Sequence, residues 1–545
     1  MLSGEIFWDK KLTSDLYDVQ LYGRTVRSYR DAPSSLYETL VETVEKHNDK
    51  IAIYTEDSRT FTFGQVLGLV EEFALFLHRK YSIKKGDRVG VLLDNGIDFI
   101  TAFYALNRLG AIIVPLPGKF RKSEITALVN RADLILIICQ KQQITWFPEH
   151  QTIVTTSQNC DFGLPLLDRL DTFVGTDMAV YAGLPPTDLS LVDDAILLYT
   201  SGTTSQSKGV ILTNMNAVHA VKSYERVLGL SDNDSTIIAV PIYHVTGMIA
   251  IIGLFIYLGG SIHIQKRMCG RPFVREIYSS NITFIHASPT VFALMLEEQE
   301  RFPALNSVRK IGCGAAHMPI TRIQALHEWM PQMEFRTIYG LTESCSPGFV
   351  FPTDATVHPH LGSSGIPIPG MDVKVCDDDG RDLGFGTIGE IWLRGANIAR
   401  CYDKVQSSSF TSDGWIATGD LGKVCEDGFV YVLDRKKDLI NRGGEKIWCI
   451  DVEEELRLLP EIEDAALVGV PDTIYGEVPA AAIVLAPGEK FDEESIRMQL
   501  NKRLARYRVP VYFKVVNELP MTPGSKIDKN AIRHLFAFEP AVGTF

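Results

Sequence analysis

Apolar residues recur at two spacings along this chain, and the alternation between them predicts its elements. From Ser35 the run SLYETLVETVEKH places Leu36, Leu40 and Val44 at helical spacing, with Ser35 and Glu38 set as a capping box. VEEFALFLHRKY predicts a second helix. RVGVLL, FITAFYALNRLG and AIIVPL then read strand, helix, strand, a βαβ unit that implies a parallel sheet. In a second series the β-branched runs AILLYT, STIIAVPIY, GSIHIQ and ITFIHAS alternate with the helical patterns NAVHAVKSYERVL and PTVFALMLEEQE. The expectation is two successive α/β units with parallel sheets. Met248 to Leu258 is too short to span a bilayer and predicts a buried core helix.

After about Gly362 the pattern changes. Turn signals at Asp379-Gly380 and Gly384 to Gly386 separate strand-like runs, and GKVCEDGFVYVLDR reads as a hairpin turning at Asp427-Gly428. A smaller, mainly antiparallel β unit is expected there. The remainder mixes the strands AALVGV and AAAIVLA with the charged helix DEESIRMQLNKRL, which predicts a small α+β domain.

A length of 545 residues suits several packing units at roughly 100–200 residues each. The formal net charge of −13 provides no global basic field for nucleic acid. Nine cysteines without a C-x-x-C pair argue against a zinc ribbon or disulfide framework and fit a reducing cytosol. The N-terminus lacks a signal-peptide pattern, so a cytoplasmic location is expected.

YTSGTTSQSKGV, Tyr199 to Val210, concentrates glycine, hydroxyls and one lysine. A nucleotide P-loop needs a second glycine before its lysine, a hydroxyl after it and then a helix. Here Ser207 precedes Lys208, Gly209 follows, and a helix can begin only near Asn214. The geometry expected is strand, loop, strand. Alone, the loop reads equally as a phosphate cradle or a solvated turn.

Other motifs follow it in order: PIYHVTGM from Pro241, GCGAAHMP from Gly312, YGLTE from Tyr339, DGWIATGDLG, DRKKDLINRGGEKI from Asp434 and PMTPGSKIDK from Pro520. Together they resemble the motifs of the adenylate-forming superfamily, which includes acyl- and aryl-CoA synthetases, luciferases and nonribosomal-peptide adenylation domains. The usual phosphate loop there is YTSGTTGxPKGV, so Ser205 and Ser207 are departures, as is Ser525 beside the terminal lysine. Cys449 stands near a position where proline is usual.

The resemblance implies activation of a carboxylic acid by ATP with Mg²⁺, releasing pyrophosphate. The acyl-adenylate then passes to coenzyme A or, alternatively, to an acyl-carrier-protein thiol. It implies that Thr200, Ser201, Gly202, Thr203, Thr204 and Lys208 hold the β- and γ-phosphates, that Thr342 contacts the α-phosphate and that Glu343 binds Mg²⁺. Gly314, Ala315 and Ala316 would lie against adenine, with Tyr339 stacking on the base beside Gly340, while Asp420 and Arg435 hold the ribose. His244 would sit near the attacking carboxylate, and Lys526 would bridge carboxylate and α-phosphate. A large domain, residues 1–434, would carry ATP and the acyl group. A small mobile domain, 435–545, would turn about a hinge near Lys437, exchanging Lys526 for the Gly443-Gly444 loop beside the thiol. HVTGM leans towards fatty-acyl and related aliphatic acids. Without the resemblance, Thr342-Glu343 reads as a helix N-cap with an acid in the first turn, His244 as a core histidine and Lys526 as a solvated lysine.

Overall fold

Two large sheets carry the first three-quarters of the chain, and neither is assembled from consecutive elements. The computed structural model describes residues 2–150, 152–155, 184, 188–200, 207–238, 240–266, 270–522 and 526–536. The seven-stranded sheet has Ile112–Pro115, Arg88–Leu92, Leu136–Gln140 and Thr152–Thr155 parallel at one side. Asp194–Tyr199 continues it in parallel, while Gly209–Thr213 and then Cys401–Tyr402 add antiparallel strands. In the nine-stranded sheet, Ile51–Thr55, Ser261–Ile264, Ser235–Ile238, Phe284–Ala287, Lys310–Cys313 and Glu334–Tyr339 run parallel.

The parallel sheets and most elements follow the sequence pattern, but the division into successive units does not. Ile51–Thr55 precedes the first βαβ unit yet joins the sheet of the second series, and Asp194–Tyr199 opens the second series yet joins the sheet of the first. A strand covered on both faces reads as a continuous apolar run, and nothing in such a run specifies its neighbour. The expected core helix is buried, but it begins as a π-helix, Thr246–Gly253, before Leu254–Leu258 continues as α-helix. The capping box at Ser35 is half formed. Ser35 accepts from the Glu38 N–H at 3.1 Å, while the Glu38 carboxylate takes the N–H of Ser34 rather than that of Ser35.

The expected antiparallel unit is a five-stranded sheet that includes Asp372–Cys376, Gly389–Arg394, Ile416–Val424 and Val430–Arg435. One continuous apolar core runs through these three sheets as far as Val430. Buried apolar residues from Ile440 onward form separate clusters around the antiparallel pair Ile462–Asp472 and Gly476–Leu485. Tyr512–Val515 joins that pair in parallel, with helices Cys449–Arg457, Glu493–Asn501 and Lys529–Leu535 alongside. The cysteines among the described residues are all free.

His219, His244 and His286 are buried deeply enough that desolvation lowers each imidazole to about 4. The unfolded chain takes up these protons near pH 6.5 and the folded chain only near 4. Their contribution to stability is therefore complete above pH 6.5 and is lost as pH falls towards 4, by an order of about 3 kcal/mol each. His286→Phe is expected to lose less stability than the unsubstituted chain between pH 6.5 and 4.5 in a calorimetric series. Parallel curves would contradict this account.

Candidate active site

The strand–loop–strand geometry around Lys208 is present. Asp194–Tyr199 and Gly209–Thr213 pair antiparallel, and the next helix starts at Asn214. Ser201, Gly202, Thr203 and Thr204, together with Ser205, lie outside the described residues. At the neck of the loop the Thr200 N–H donates to the Lys208 carbonyl at 2.9 Å. The Ser207 hydroxyl donates to the Thr200 carbonyl, and Arg131 donates to the Ser207 carbonyl at 2.6 Å. A proline at position 207 could not make the hydroxyl contact, so this departure adds a tie across the neck.

Lys208 points its ammonium at the Tyr402 ring, 4.7 Å from the centroid, and the Tyr402 hydroxyl donates to Glu343 at 2.8 Å. Tyr402 thus links Lys208 to the YGLTE segment. It belongs to the short strand that edges the seven-stranded sheet, a pairing across about two hundred residues that no local pattern announces.

YGLTE forms a turn after strand Glu334–Tyr339, and Thr342 and Glu343 do not begin a helix. Two interactions hold it in this shape. Asn397 donates from Nδ2 to the carbonyls of Ser344 and Pro347 at 2.7 and 2.6 Å. The Ser344 hydroxyl accepts from the Leu341 N–H at 2.9 Å. Cys345 and Ser346 take positive φ of 50° and 96°, and a Cβ on Gly340 would lie 1.3 Å from the Ser346 carbonyl oxygen. Only glycine fits there.

The Tyr339 ring stacks on Phe349 at 5.0 Å, and its hydroxyl donates to Asp420 Oδ2 at 2.6 Å. Asp420 Oδ1 lies 3.2 Å from Arg435 Nε. The Asp427-Gly428 hairpin makes Asp420 and Arg435 directly opposed partners, and Asp420 is 4 % exposed. Gly314 packs where a Cβ would meet the Ile338 carbonyl oxygen at 2.6 Å, while Ala315 and Ala316 are exposed, Ala315 at φ 71°.

Lys526 enters this cluster from the C-terminal unit. Burial and the nearby Arg435 lower its pKa, while Asp420 and Glu343 oppose the shift. His244 lies just before the π-helix with Nε2 buried and without a hydrogen-bond partner among the described residues, and it also feels the Lys526 charge. The structure therefore brings together Lys208, Tyr339, Glu343, Asp420, Arg435, Lys526 and His244. Gly443 and Gly444 lie elsewhere, in the turn between Ile440–Arg442 and Glu445–Ile447, at φ 60° and 97°. Lys437 is exposed, with the charges of Asp438, Arg435 and Arg533 nearby. Among the described residues no group of three His, Cys, Asp or Glu forms a metal cluster, so a cation here would depend on Glu343 together with ligand oxygens.

Comparison with known proteins identifies the family and the fold. The model of the AMP-binding enzyme family matches residues 40–403, and that of the AMP-binding enzyme C-terminal domain matches residues 451–526. The chain belongs to the AMP-binding enzyme family. It is 30% identical over 504 residues to 2-succinylbenzoate–CoA ligase of Bacillus velezensis, covering 91% of this chain and 97% of that protein. It is 29% identical over 530 residues to oxalate–CoA ligase of Arabidopsis thaliana, covering 94% and 99%. The solved o-succinylbenzoate CoA synthetase of Bacillus subtilis, in complex with its acyl-adenylate intermediate, superposes with a TM-score of 0.77 at 28% identity over 91% of this chain and 97% of that one. The same enzyme with ATP and magnesium ion gives a TM-score of 0.77 at 27% identity, over 90% and 98%.

Gly340→Ala is expected to displace the turn that carries Thr342 and Glu343, because no flexible side chain can give way to the added methyl. The variant should fold but lose the thermal stabilisation that Mg·ATP gives the unsubstituted chain. Undiminished stabilisation would show that the turn does not shape the nucleotide site.

Proposed function

We propose that this chain is an AMP-forming acid–CoA ligase. A carboxylate attacks the α-phosphate of ATP and expels pyrophosphate, and the thiol of coenzyme A then displaces AMP from the acyl-adenylate. The observation that carries this reading is the entry of Lys526, from beyond residue 435, into a cluster already holding Glu343, Asp420 and Arg435.

Joining two anions needs positive charge at the reacting atoms. Lys526 supplies it between the carboxylate and the α-phosphate, and Lys208 with its loop holds the departing phosphates. Thr342 contacts the α-phosphate. Asp420 and Arg435 take the ribose, and Gly314 to Ala316 take the adenine together with Tyr339 and Gly340. Stacking of the base on Tyr339 uses the ring face away from Phe349. Glu343 would hold Mg²⁺ with a hard carboxylate oxygen, its Oε1 already ordered by Tyr402, and the ion would neutralise phosphate charge. His244, kept neutral by burial, borders the incoming carboxylate. A hinge near Lys437 separates residues 1–434 from 435–545 and brings Gly443 and Gly444 to the thiol in the second step. No described helix is long and apolar enough to cross a membrane. We place the enzyme in the cytoplasm.

For the acid, the apolar Val245 and Met248 support a neutral, partly apolar acyl group, as the HVTGM motif suggests for aliphatic acids. Two buried polar atoms lack partners among the described residues: His286 Nδ1, on the strand beside Gly312, and Ser288 Oγ, at the N-cap of the helix that follows that strand. An acyl oxygen would satisfy them better than an unbroken alkyl chain. Relatives named for 2-succinylbenzoate and oxalate bring into the assay two acids with a second carboxylate, against which the neutral reading is tested.

The test is isotope exchange between pyrophosphate and ATP with a panel of 2-succinylbenzoate, oxalate and straight-chain fatty acids. Exchange with at least one is expected, and none with any acid would favour a nucleotide-binding protein without turnover. AMP release that needs coenzyme A separates this reading from loading of a carrier-protein thiol. Lys526→Ala should lower exchange by roughly a hundredfold or more while thioester formation from supplied acyl-adenylate continues. Loss of both together would argue against a lysine used in only one half-reaction.

A further inference from the structure

Asp434 and Asp438 flank Lys437 at positions i and i+4 and reach oppositely placed partners. Helix Lys529–Leu535 begins three residues after Lys526 and presents Lys529 and Arg533, also four apart, on one face. Arg533 Nη2 lies 2.7 Å from Asp438 Oδ1. Both of those residues follow Lys437, so this pair moves as one body if the chain turns there.

Asp434 precedes Lys437, and two of its partners, Cys449 and Lys529, follow it. Its Oδ2 accepts from the Cys449 N–H at 2.7 Å. Its Oδ1 accepts from the Arg435 N–H at 2.8 Å and lies 3.9 Å from Lys529 Nζ. Lys529 is shared with Glu453, 3.5 Å away, whose Oε1 also accepts from the Leu467 N–H at 2.8 Å. The Asp434 side chain is 4 % exposed, so its charge depends on these contacts.

Resting on the ligase reading above, we propose that Asp434 is a positioning residue, a latch across the hinge whose grip on the Cys449 N–H and the Lys529 ammonium holds Lys526 in the adenylation site and must open before the thiol step. Nothing on the latch touches substrate. It acts through the placement of the helix that follows Lys526.

Cys449 offers a way to weaken it; its thiol also donates to the Asp438 carbonyl at 3.3 Å, a contact between residues that both follow Lys437. Cys449 is the first residue of helix Cys449–Arg457, the position where proline is tolerated because its N–H is not needed within the helix. Cys449→Pro therefore removes one donor from Asp434 and spares the helix. In the full chain, with the acid selected by the exchange panel, Cys449→Pro and Lys529→Met are expected to slow pyrophosphate exchange by about tenfold to a hundredfold, the scale of a misplaced reacting group. Thioester formation from supplied acyl-adenylate and coenzyme A should stay within about twofold or rise. Lys529→Arg should restore most of the exchange. Amide hydrogen exchange with Mg·ATP alone gives a second readout. The peptide covering residues 449–457 should exchange faster in Lys529→Met, with the peptide covering residues 466–470 unchanged. Equal loss in both half-reactions, or unchanged exchange in both variants, would overturn the latch while leaving the ligase reading intact. An unsubstituted chain that activates no acid would overturn the ligase reading and the latch with it.

Discussion

The buried carboxylate of Asp420 constrains the rest of the site. A carboxylate removed from water is costly unless it is paired and hydrogen-bonded. Asp420 meets that demand with Tyr339 from the nine-stranded sheet and Arg435 from the last strand of the antiparallel sheet. One charge thereby registers two sheets against each other. Arg435 lies two residues before Lys437, so the same contact fixes the chain just ahead of that residue. In the proposed turn near Lys437 the near side is held, and motion would begin beyond it.

The electrostatics follow from the same economy of charge. The chain is acidic overall at −13, yet its candidate nucleotide site gathers Lys208, Arg435 and Lys526. Lys208 and Arg435 are each held by a group that leaves the cation able to meet an anion. Lys208 rests over the Tyr402 ring, and Arg435 faces a single carboxylate. Glu343 receives a hydroxyl, which orders its carboxylate without neutralising it. Local arrangement, not net charge, determines whether a phosphate is welcome.

What the sequence showed and what it concealed divide by range. The strand–loop–strand around Lys208, the helix from Asn214 and the hairpin at Asp427-Gly428 are all encoded within a few residues, and all formed. The shape of YGLTE was not legible. Read locally, Thr342 and Glu343 suit a helix N-terminus, but Asn397 takes two carbonyls there from about fifty residues away and holds an open turn. Tyr402 was missed for the same reason, since its importance comes from pairing across sheets. Strand order was also hidden, because a run such as AILLYT is apolar on both faces and equally suited to either sheet. The motifs, by contrast, marked positions whose chemistry depends on residue type; Lys208, Tyr339, His244, Glu343, Asp420, Arg435 and Lys526 lie near one another, while Gly443 and Gly444 do not.

The hinge proposed near Lys437 gives a reason why such a site should not be held too firmly. Two half-reactions need two arrangements of the same chain, so neither can be much more stable than the other. Inverting a 99:1 preference takes about 5.5 kcal/mol of differential binding, which ligands would have to supply at every turnover. A tight buried ion pair across the hinge would approach that figure by itself. Instead the Asp434 ammonium partner stands at 3.9 Å and is shared with Glu453, and a backbone N–H provides the short contact. Lys529 keeps Glu453 as counter-ion when Asp434 is released, so opening does not strand a lysine charge. The pair that need not break, Arg533 with Asp438, is the short one at 2.7 Å. Strong contacts within the moving body and a divided contact across its hinge are what a reversible turn between two working states requires.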